Sequence, residues 1–274
     1  MPRVLRASER GAPVRFGLTP VFLDDHAGFL RIWQRYLDPR LNRPLQFVQR
    51  GSYREIIDIL RQDKLDFAWI CGYPFVRYRL QFRLLAVPLY LGKPLYQSYL
   101  IVSGTDATTR SVLDLRGRVF AFSDPDSNSG YLYATYLLAQ ASERAAGFFG
   151  KSFFTWAHRK VVEAVAAGLA QGGSVDGYVW DTLKRYSPEL TLRTRIAGRS
   201  PEFGFPPIVA RASVRQGEFD AMRRVLLGMA DEAQGRELLK RLNLEGFTPG
   251  NEELFDGIER MMKVVDRFGN APAA

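Results

Sequence analysis

The sequence predicts an α/β protein made of two lobes joined by a double crossover, with the second lobe inserted into the first. Three observations predict it. Strand and helix patterns alternate β-α-β-α-β from Val14 to Ile70, as in a mostly parallel sheet with helices on its faces. A second α/β series runs from Arg118 to Ile196. A polar break at 105–110 and a stretch rich in Pro, Gly and Phe at 200–207 read as the outward and return passages. The expected boundaries are a flexible N-terminus over 1–13, a first lobe of 14–103 plus 200–274, and a second lobe of 104–199. Two crossovers make a hinge, and the cleft between lobes is where ligands usually bind.

The elements follow in order. Val14 to Leu18 reads as a strand running into Gly17-Leu18-Thr19-Pro20. From Asp24 to Tyr36, Phe29, Leu30, Trp33 and Tyr36 recur at helical spacing. Leu45 to Val48 is a second strand. Tyr53 to Leu60 is a helix with an apolar stripe of Ile56, Ile57 and Leu60, and Ser52 with Glu55 three residues on forms a capping box. Leu65 to Ile70 is a buried strand, and Leu84 to Leu91 and Tyr96 to Ser103 are two more. In the second series, strands are expected over Arg118–Phe122, Val175–Val179 and Thr191–Ile196, and helices over Ser129–Ala139 and Arg159–Leu169. The last stretch is helical: Glu218–Met229, Ala233–Leu242 and Glu252–Arg267.

Composition narrows the function. Of 274 residues, 46% are hydrophobic and 24% charged, which is globular and excludes disordered and collagenous classes. No apolar run reaches the roughly 18 residues that span a bilayer. A single cysteine, Cys71, excludes an internal disulfide and every multi-Cys zinc pattern, and two histidines, His26 and His158, leave little for a metal site. No metal and no cofactor is expected. The net charge is 38 − 29 = +9, nearly all from Arg, and favours anionic partners. The one basic stretch with interleaved aromatics, Arg77 to Arg83, is short and solitary, so nucleic acid is not an expected partner. Met1 to Pro13 is polar and basic, without the apolar core of an export signal. The expectation is a periplasmic protein if such a signal lies outside this chain, and otherwise a cytoplasmic one.

The segment from Phe122 to Tyr131, Phe-Ser-Asp-Pro-Asp-Ser-Asn-Ser-Gly-Tyr, joins a strand to a helix. Ser127, Asn128 and Ser129 stand at the helix start, where free backbone N–H groups and the positive dipole end suit a tetrahedral oxyanion. The same residues also make an ordinary cap. Two further junctions, at Thr19-Pro20 and at Gly51-Ser52-Tyr53, lie on the same sheet edge, and three helix starts converging on a cleft would neutralise an anion without Lys or Arg. His158, just before a helix, is a candidate donor to that anion, or a structural hydrogen-bonder. Gly-x-Ser-x-Gly, a Walker loop and Gly-x-Gly-x-x-Gly are all absent. Cys71 with His158 could form a nucleophile pair, the basis of a hydrolytic-enzyme alternative, but nothing local to either supports it; the expectation is a protein that is not an enzyme.

Several ordered blocks resemble a known family: Tyr53-Arg-Glu-Ile-Ile, Leu65-Asp-Phe-Ala-Trp-Ile-Cys-Gly-Tyr-Pro, Tyr96-Gln-Ser-Tyr-Leu-Ile-Val, Asp114-Leu-Arg-Gly, Ser123-Asp-Pro-Asp-Ser-Asn-Ser-Gly, His158 with Ala164-Val-Ala, Val175-Asp-Gly and Ser200-Pro. In order and spacing, from about Val14 to Arg211, the chain resembles the phosphate, phosphite and phosphonate binding proteins of ABC importers, which have the type II periplasmic-binding-protein fold. The resemblance implies an oxyanion held between lobes by a Ser-Thr-Ser-like helix start, two tyrosines and a histidine. By position these are Ser127, Asn128, Ser129, Tyr53, Tyr96 and His158, with Asn128 in place of the usual threonine. Thr19, Cys71 and Asp181 are added as further candidates. The carboxylates that receive the amine of an aminoalkyl phosphonate are not matched: Pro206 stands where an acid is expected, and neither Asp181 nor Glu202 aligns well. The implied ligand is therefore phosphate, phosphite, a simple phosphonate or a related oxyanion, and the implied partner an ABC permease or a membrane sensor, the protein itself being a monomer. Relatives that sense arsenite through a thiol make Cys71 the basis of a sensing alternative.

Overall fold

A computed structural model describes residues 12–20 and 27–269. Most of the expected flexible N-terminus, His26, and the beginning of the first expected helix lie outside the described residues.

The first lobe is a six-stranded sheet in the order β13-β4-β12-β3-β1-β2. Its strands are β1 (Val14–Leu18), β2 (Leu45–Gln49), β3 (Phe67–Trp69), β4 (Phe82–Leu89), β12 (Ile208–Arg211) and β13 (Gly246–Thr248). β1 runs parallel to both β2 and β3, whereas β12 and β13 pair antiparallel. The second lobe is a five-stranded sheet in the order β10-β6-β9-β7-β8, from β6 (Ser98–Ser103), β7 (Val119–Phe122), β8 (Lys151–Phe154), β9 (Gly172–Asp176) and β10 (Thr194–Arg199). A two-stranded ribbon, β5 (Leu95–Tyr96) against β11 (Phe203–Gly204), lies between the two sheets along the chain on both passages. Because β6 pairs with β9 and β10, the outward passage lies at Leu95–Gln97, before the expected edge at Ser103.

The helices are α1 (Ala27–Leu41), α2 (Tyr53–Arg61), α3 (Gly72–Arg77), α4 (Tyr133–Gln140), α5 (Ala145–Phe148), α6 (His158–Ala166), α7 (Gly177–Tyr186), α8 (Pro188–Thr191), α9 (Gln216–Leu227), α10 (Ala233–Arg241) and α11 (Asp256–Arg267). α2 forms as its sequence dictates. Ser52 Oγ accepts the Glu55 N–H while the Glu55 carboxylate accepts the Ser52 N–H, and Ile56, Ile57 and Leu60 are fully buried. Burial of such side chains contributes about 1.5–3 kcal/mol each. One expectation is corrected in the second lobe: the strand expected over Val175–Val179 ends at Asp176 and helix follows. The Asp176 carboxylate accepts the Tyr178 and Val179 N–H groups, so the aspartate caps α7 and stops the strand.

Apolar side chains of both lobes merge into one core cluster, with Phe16, Trp33 and Trp69 on one side and Val161, Val175 and Tyr178 on the other. A second cluster around Phe120, Phe122 and Phe149 lies within the second lobe. α11, last in sequence, packs on α3 of the first lobe and on α4 of the second.

Candidate functional site

The site is built at the junction of β7 and α4. After Phe122 the chain turns through Ser123–Asp126, and Ser127, in extended conformation, opens the helix. Ser127 Oγ accepts the Gly130 N–H at 2.9 Å, an N-cap bond. The first turn is wide: Leu132 N–H donates to Ser127 O at 3.0 Å, giving a π-turn over Asn128–Leu132 that runs directly into α4. Such turns are frequent at functional positions. The turn is pinned from beneath, where Ser98 Oγ on β6 and Ser174 Oγ on β9 both donate to Ser129 O, at 2.7 and 2.8 Å. Ser127, Asn128 and Ser129 are each at most 1% exposed.

Across from this turn stand residues of the first lobe and the ribbon. Cys71, where β3 gives way to α3, brings Sγ to 3.2 Å from the Asn128 N–H, which donates to it. Tyr96 on the ribbon accepts a bond from the Asn128 side-chain amide at 2.9 Å. Tyr53 opens α2, and its N–H donates to Asp124 Oδ2 at 3.0 Å. His158, at the start of α6, places Nε2 3.4 Å from Ser127 Oγ. Tyr53, Cys71, Tyr96, Asn128, Ser129 and His158 are all buried. Three polar atoms of the cluster, Ser123 Oγ, Asn128 Oδ1 and Ser129 Oγ, are buried without a hydrogen-bond partner. A buried polar group left so costs about 1–3 kcal/mol, which a ligand that pairs with it would relieve.

The electrostatics are set by burial. Desolvation pushes the Cys71 thiol up to about 12, so it stays protonated, and raises the Tyr53 and Tyr96 hydroxyls well above the usual phenol range. It pushes His158 down to about 3, so the imidazole is neutral. Asp124 rises to about 6 and Asp176 to about 8, again by burial, against the backbone N–H bonds they accept. Arg54, the cation at the edge of the site, is engaged by Asp126 in a two-bond pair at 2.8 and 3.0 Å. The polar groups that reach Asn128 and Ser127 are thus uncharged donors and acceptors.

Of the residues singled out in the sequence, Tyr53, Tyr96, Ser127, Asn128, Ser129, His158 and Cys71 come together here. Two do not join them. Thr19 turns its hydroxyl to Trp69 O at 3.2 Å, within its own sheet. Asp181 lies on α7 and accepts the Tyr90 and Tyr99 hydroxyls at 3.1 and 3.0 Å. Of the three helix starts, that of α2 reaches the cleft with its first N–H already taken by Asp124, because the two lobes meet there. Ser123, Asp124 and Asp176 belong to the site and were not singled out. The seven-residue spacing of Ser123 and Gly130 is the trace of the contact that joins them, since a Cβ on Gly130 would lie 1.8 Å from Ser123 Oγ.

The family model for the ABC transporter phosphonate periplasmic substrate-binding protein matches residues 16–255. The chain belongs to that family. Among solved structures, a binding-protein component of an ABC phosphonate transporter from Pseudomonas aeruginosa superposes with a TM-score of 0.85 at 20% identity, covering 94% of this chain and 88% of that one. PhnD1 from Prochlorococcus marinus, in complex with methylphosphonate, gives 0.82 at 19% identity, over 94% and 98%. A Xanthomonas citri protein bound to chloride gives 0.76 at 19% identity, over 94% and 98%. At these identities the likeness is one of fold, the two-lobed type II periplasmic-binding-protein fold. The family is one of transport binding proteins, and no helix among the described residues is long and apolar enough to cross a membrane.

Proposed function

We propose that this phosphonate-family binding protein takes a small tetrahedral oxyanion, namely phosphate, phosphite or a simple phosphonate, between its lobes and delivers it to an ABC permease. The ligand would sit against the start of the Asn128–Gln140 helix, held by Ser127, Asn128, Ser129, Tyr53 and Tyr96. The observation that carries this is the cluster of unpartnered buried atoms, Ser123 Oγ, Asn128 Oδ1 and Ser129 Oγ, at the N-terminal end of that helix. A helix N-terminus binds anions through free N–H groups and its dipole. Against an aminoalkyl ligand, the two acids weighed as amine receivers are engaged elsewhere, Asp181 by two tyrosines and Glu202 by Lys93, while Asp124 and Asp176 accept backbone N–H groups.

The sensing alternative through Cys71 has the thiol's position in its favour, since Sγ touches the Asn128 N–H. Its protonation counts against it, because the soft ligand for trivalent arsenic is the thiolate. Calorimetry with phosphate, phosphite, methylphosphonate and arsenite tests the reading, with the Ser127→Ala, Ser129→Ala double variant as control. One of the first three anions should bind, and the double variant should lose about 1.5–3 kcal/mol for each charge-assisted bond removed. Binding of none of them by the wild type, or equal binding by the double variant, overturns the assignment.

A further inference from the structure

Away from the Ser127–Ser129 turn, the seam between the lobes opens into a half-open cavity of about 400 Å³. Leu239 and Leu244, both buried, and Tyr90 give it apolar walls. Three cations line it as well. Arg236 and Lys240 lie four residues apart on α10 of the first lobe, and so on one face of that helix, while Arg185 comes from α7 of the second lobe. Among the described residues none of the three is paired with a carboxylate. Arg185 donates to Asn243 Oδ1 at 3.0 Å and Arg236 to Ala230 O at 3.1 Å. Glu245 is the acid of the lining, and its carboxylate accepts the Gly92 N–H. The seam is tied beside these cations, where Asn243 donates to Thr182 Oγ1 at 3.0 Å and Tyr186 to Lys240 O at 3.1 Å.

Leu91 completes the lining and is the unusual residue there. With Gly92 it forms the centre of a two-residue turn, in which Tyr90 N–H donates to Lys93 O at 2.8 Å and Lys93 N–H to Tyr90 O at 3.1 Å. Both central residues have positive φ, 51° and 74°, as a type I′ turn requires. Asn, Asp or Gly ordinarily takes the first of these places, and a bulky apolar side chain is strained in it. Leu91 is also 72% exposed, so the fold gains little burial in return. Neither turn geometry nor packing accounts for a leucine here, whereas a ligand seated in the cavity would cover it.

We propose that this cavity is a second binding site, for a small molecule that carries two negative charges on an apolar frame. Three cations against one acid leave two positive charges to be met, and the leucines favour a ligand that is not charged all round. The acidic groups of the ligand pair with Arg185 on one lobe and with Arg236 and Lys240 on the other, so the ligand spans the seam. Its frame lies against Leu91, Leu239 and Leu244. The site shares no residue with the oxyanion cradle and does not depend on what is held there.

The probes are isophthalate, a benzene ring with two carboxylates, and malonate, which has the same charges without the ring. In calorimetry on the full chain, isophthalate should bind at or below millimolar concentration, less tightly as salt is added, and malonate about ten-fold more weakly. Ser127→Ala with Ser129→Ala should leave isophthalate binding unchanged. Arg185→Gln and Arg236→Gln should each weaken it about three- to ten-fold. Leu91→Asn gives the turn a residue it prefers, so the melting temperature should rise while isophthalate affinity falls about three-fold or more. A leucine with only a structural role would not produce that split. No binding of isophthalate at millimolar concentration, equal affinity for malonate, loss of binding in the Ser127/Ser129 variant, or full affinity in Arg185→Gln or Leu91→Asn overturns the site. The oxyanion reading is untouched by any of these results, since phosphate, phosphite and methylphosphonate titrations decide it separately.

Discussion

Gly130 is the residue on which the site depends most closely. In an open helix, replacing glycine by alanine gains about 1 kcal/mol. Here the added Cβ would meet Ser123 Oγ at 1.8 Å and His158 Cε1 at 2.9 Å, so one of them must move. Gly130→Ala should therefore destabilise the protein by about 1–3 kcal/mol in urea titration, the range for overpacking, and abolish anion binding by calorimetry. A stabilised, binding-competent variant would show that the contact relaxes freely. Asp176 supports a second prediction. Its folded value of about 8 lies above the usual carboxylate 3.8, so the folded protein keeps a proton that the unfolded chain has released. That contribution is fully present below about pH 4 and is lost as pH rises through 8. His158 has the opposite sign: its contribution holds above 6.5 and is lost as pH falls toward 3. Asp176→Asn keeps an acceptor for the α7 cap and removes the titration. The melting temperature of this variant should fall less steeply between pH 5 and 8, a slope bounded by about 1.4 kcal/mol per pH unit for one proton. At this scale the Ser/Asn run marked a helix start that could equally be an ordinary cap, and Tyr96 entered only through the family resemblance. The sequence did not show Asp124 and Asp176, whose roles depend on what the other lobe and the next strand bring against them.

At the scale of elements, the first turn of α2 is a contact between lobes. Its Tyr53 N–H donates to Asp124 and its Arg54 pairs with Asp126, both on the loop that leads into the π-turn. Asp126 is 4% exposed in this pair and Arg54 32%. Arg54→Ala would leave a buried carboxylate without its cation, costing about 1–3 kcal/mol, less than a fully buried pair because the arginine is part-solvated. The loss should appear as a larger radius of gyration in solution scattering, the lobes parting at that edge, with saturating ligand restoring the compact form. Elements with strong local signals were legible: α2 from its capping box, β1 and β2 from short apolar runs. The misreading of Gly177-Tyr-Val as the end of a strand has a clear cause. Its apolar residues fit either period, and the cap that decides between them is a buried aspartate with no local mark. The short strands β8, β11, β12 and β13 carry too few residues for periodicity to show, and exist because neighbouring strands pair with them.

Over the whole molecule the lobes are held together on two sides of the site. Arg54 and Tyr53 grip Asp126 and Asp124 on one side. On the other, Tyr90 donates to Asp181, Asn243 donates to Thr182, and the Tyr178 hydroxyl donates to Leu242 O. None of these contacts touches the Ser127–Ser129 turn. Combining Arg54→Ala with Tyr90→Phe should weaken anion binding by up to about ten-fold with the cradle unaltered, because only the fraction of molecules in the competent state binds. Unchanged affinity in that double variant would mean that the closed state needs neither contact. The two-lobe plan was legible because each lobe repeats its own strand–helix alternation. The exact point of passage was not, since Ser98–Ser103 is apolar enough for either sheet and only its partners, β9 and β10, decide.

The thiol at the meeting point of the lobes makes the protein its own recorder of motion. Cys71 is the chain's only cysteine, buried, protonated and pressed against an amide of the opposite lobe. A thiol-specific dye added at constant pH can modify it only during the moments when the halves swing apart, so the rate of colour development counts those excursions. Cargo that holds the jaws shut should slow that clock in proportion to its occupancy.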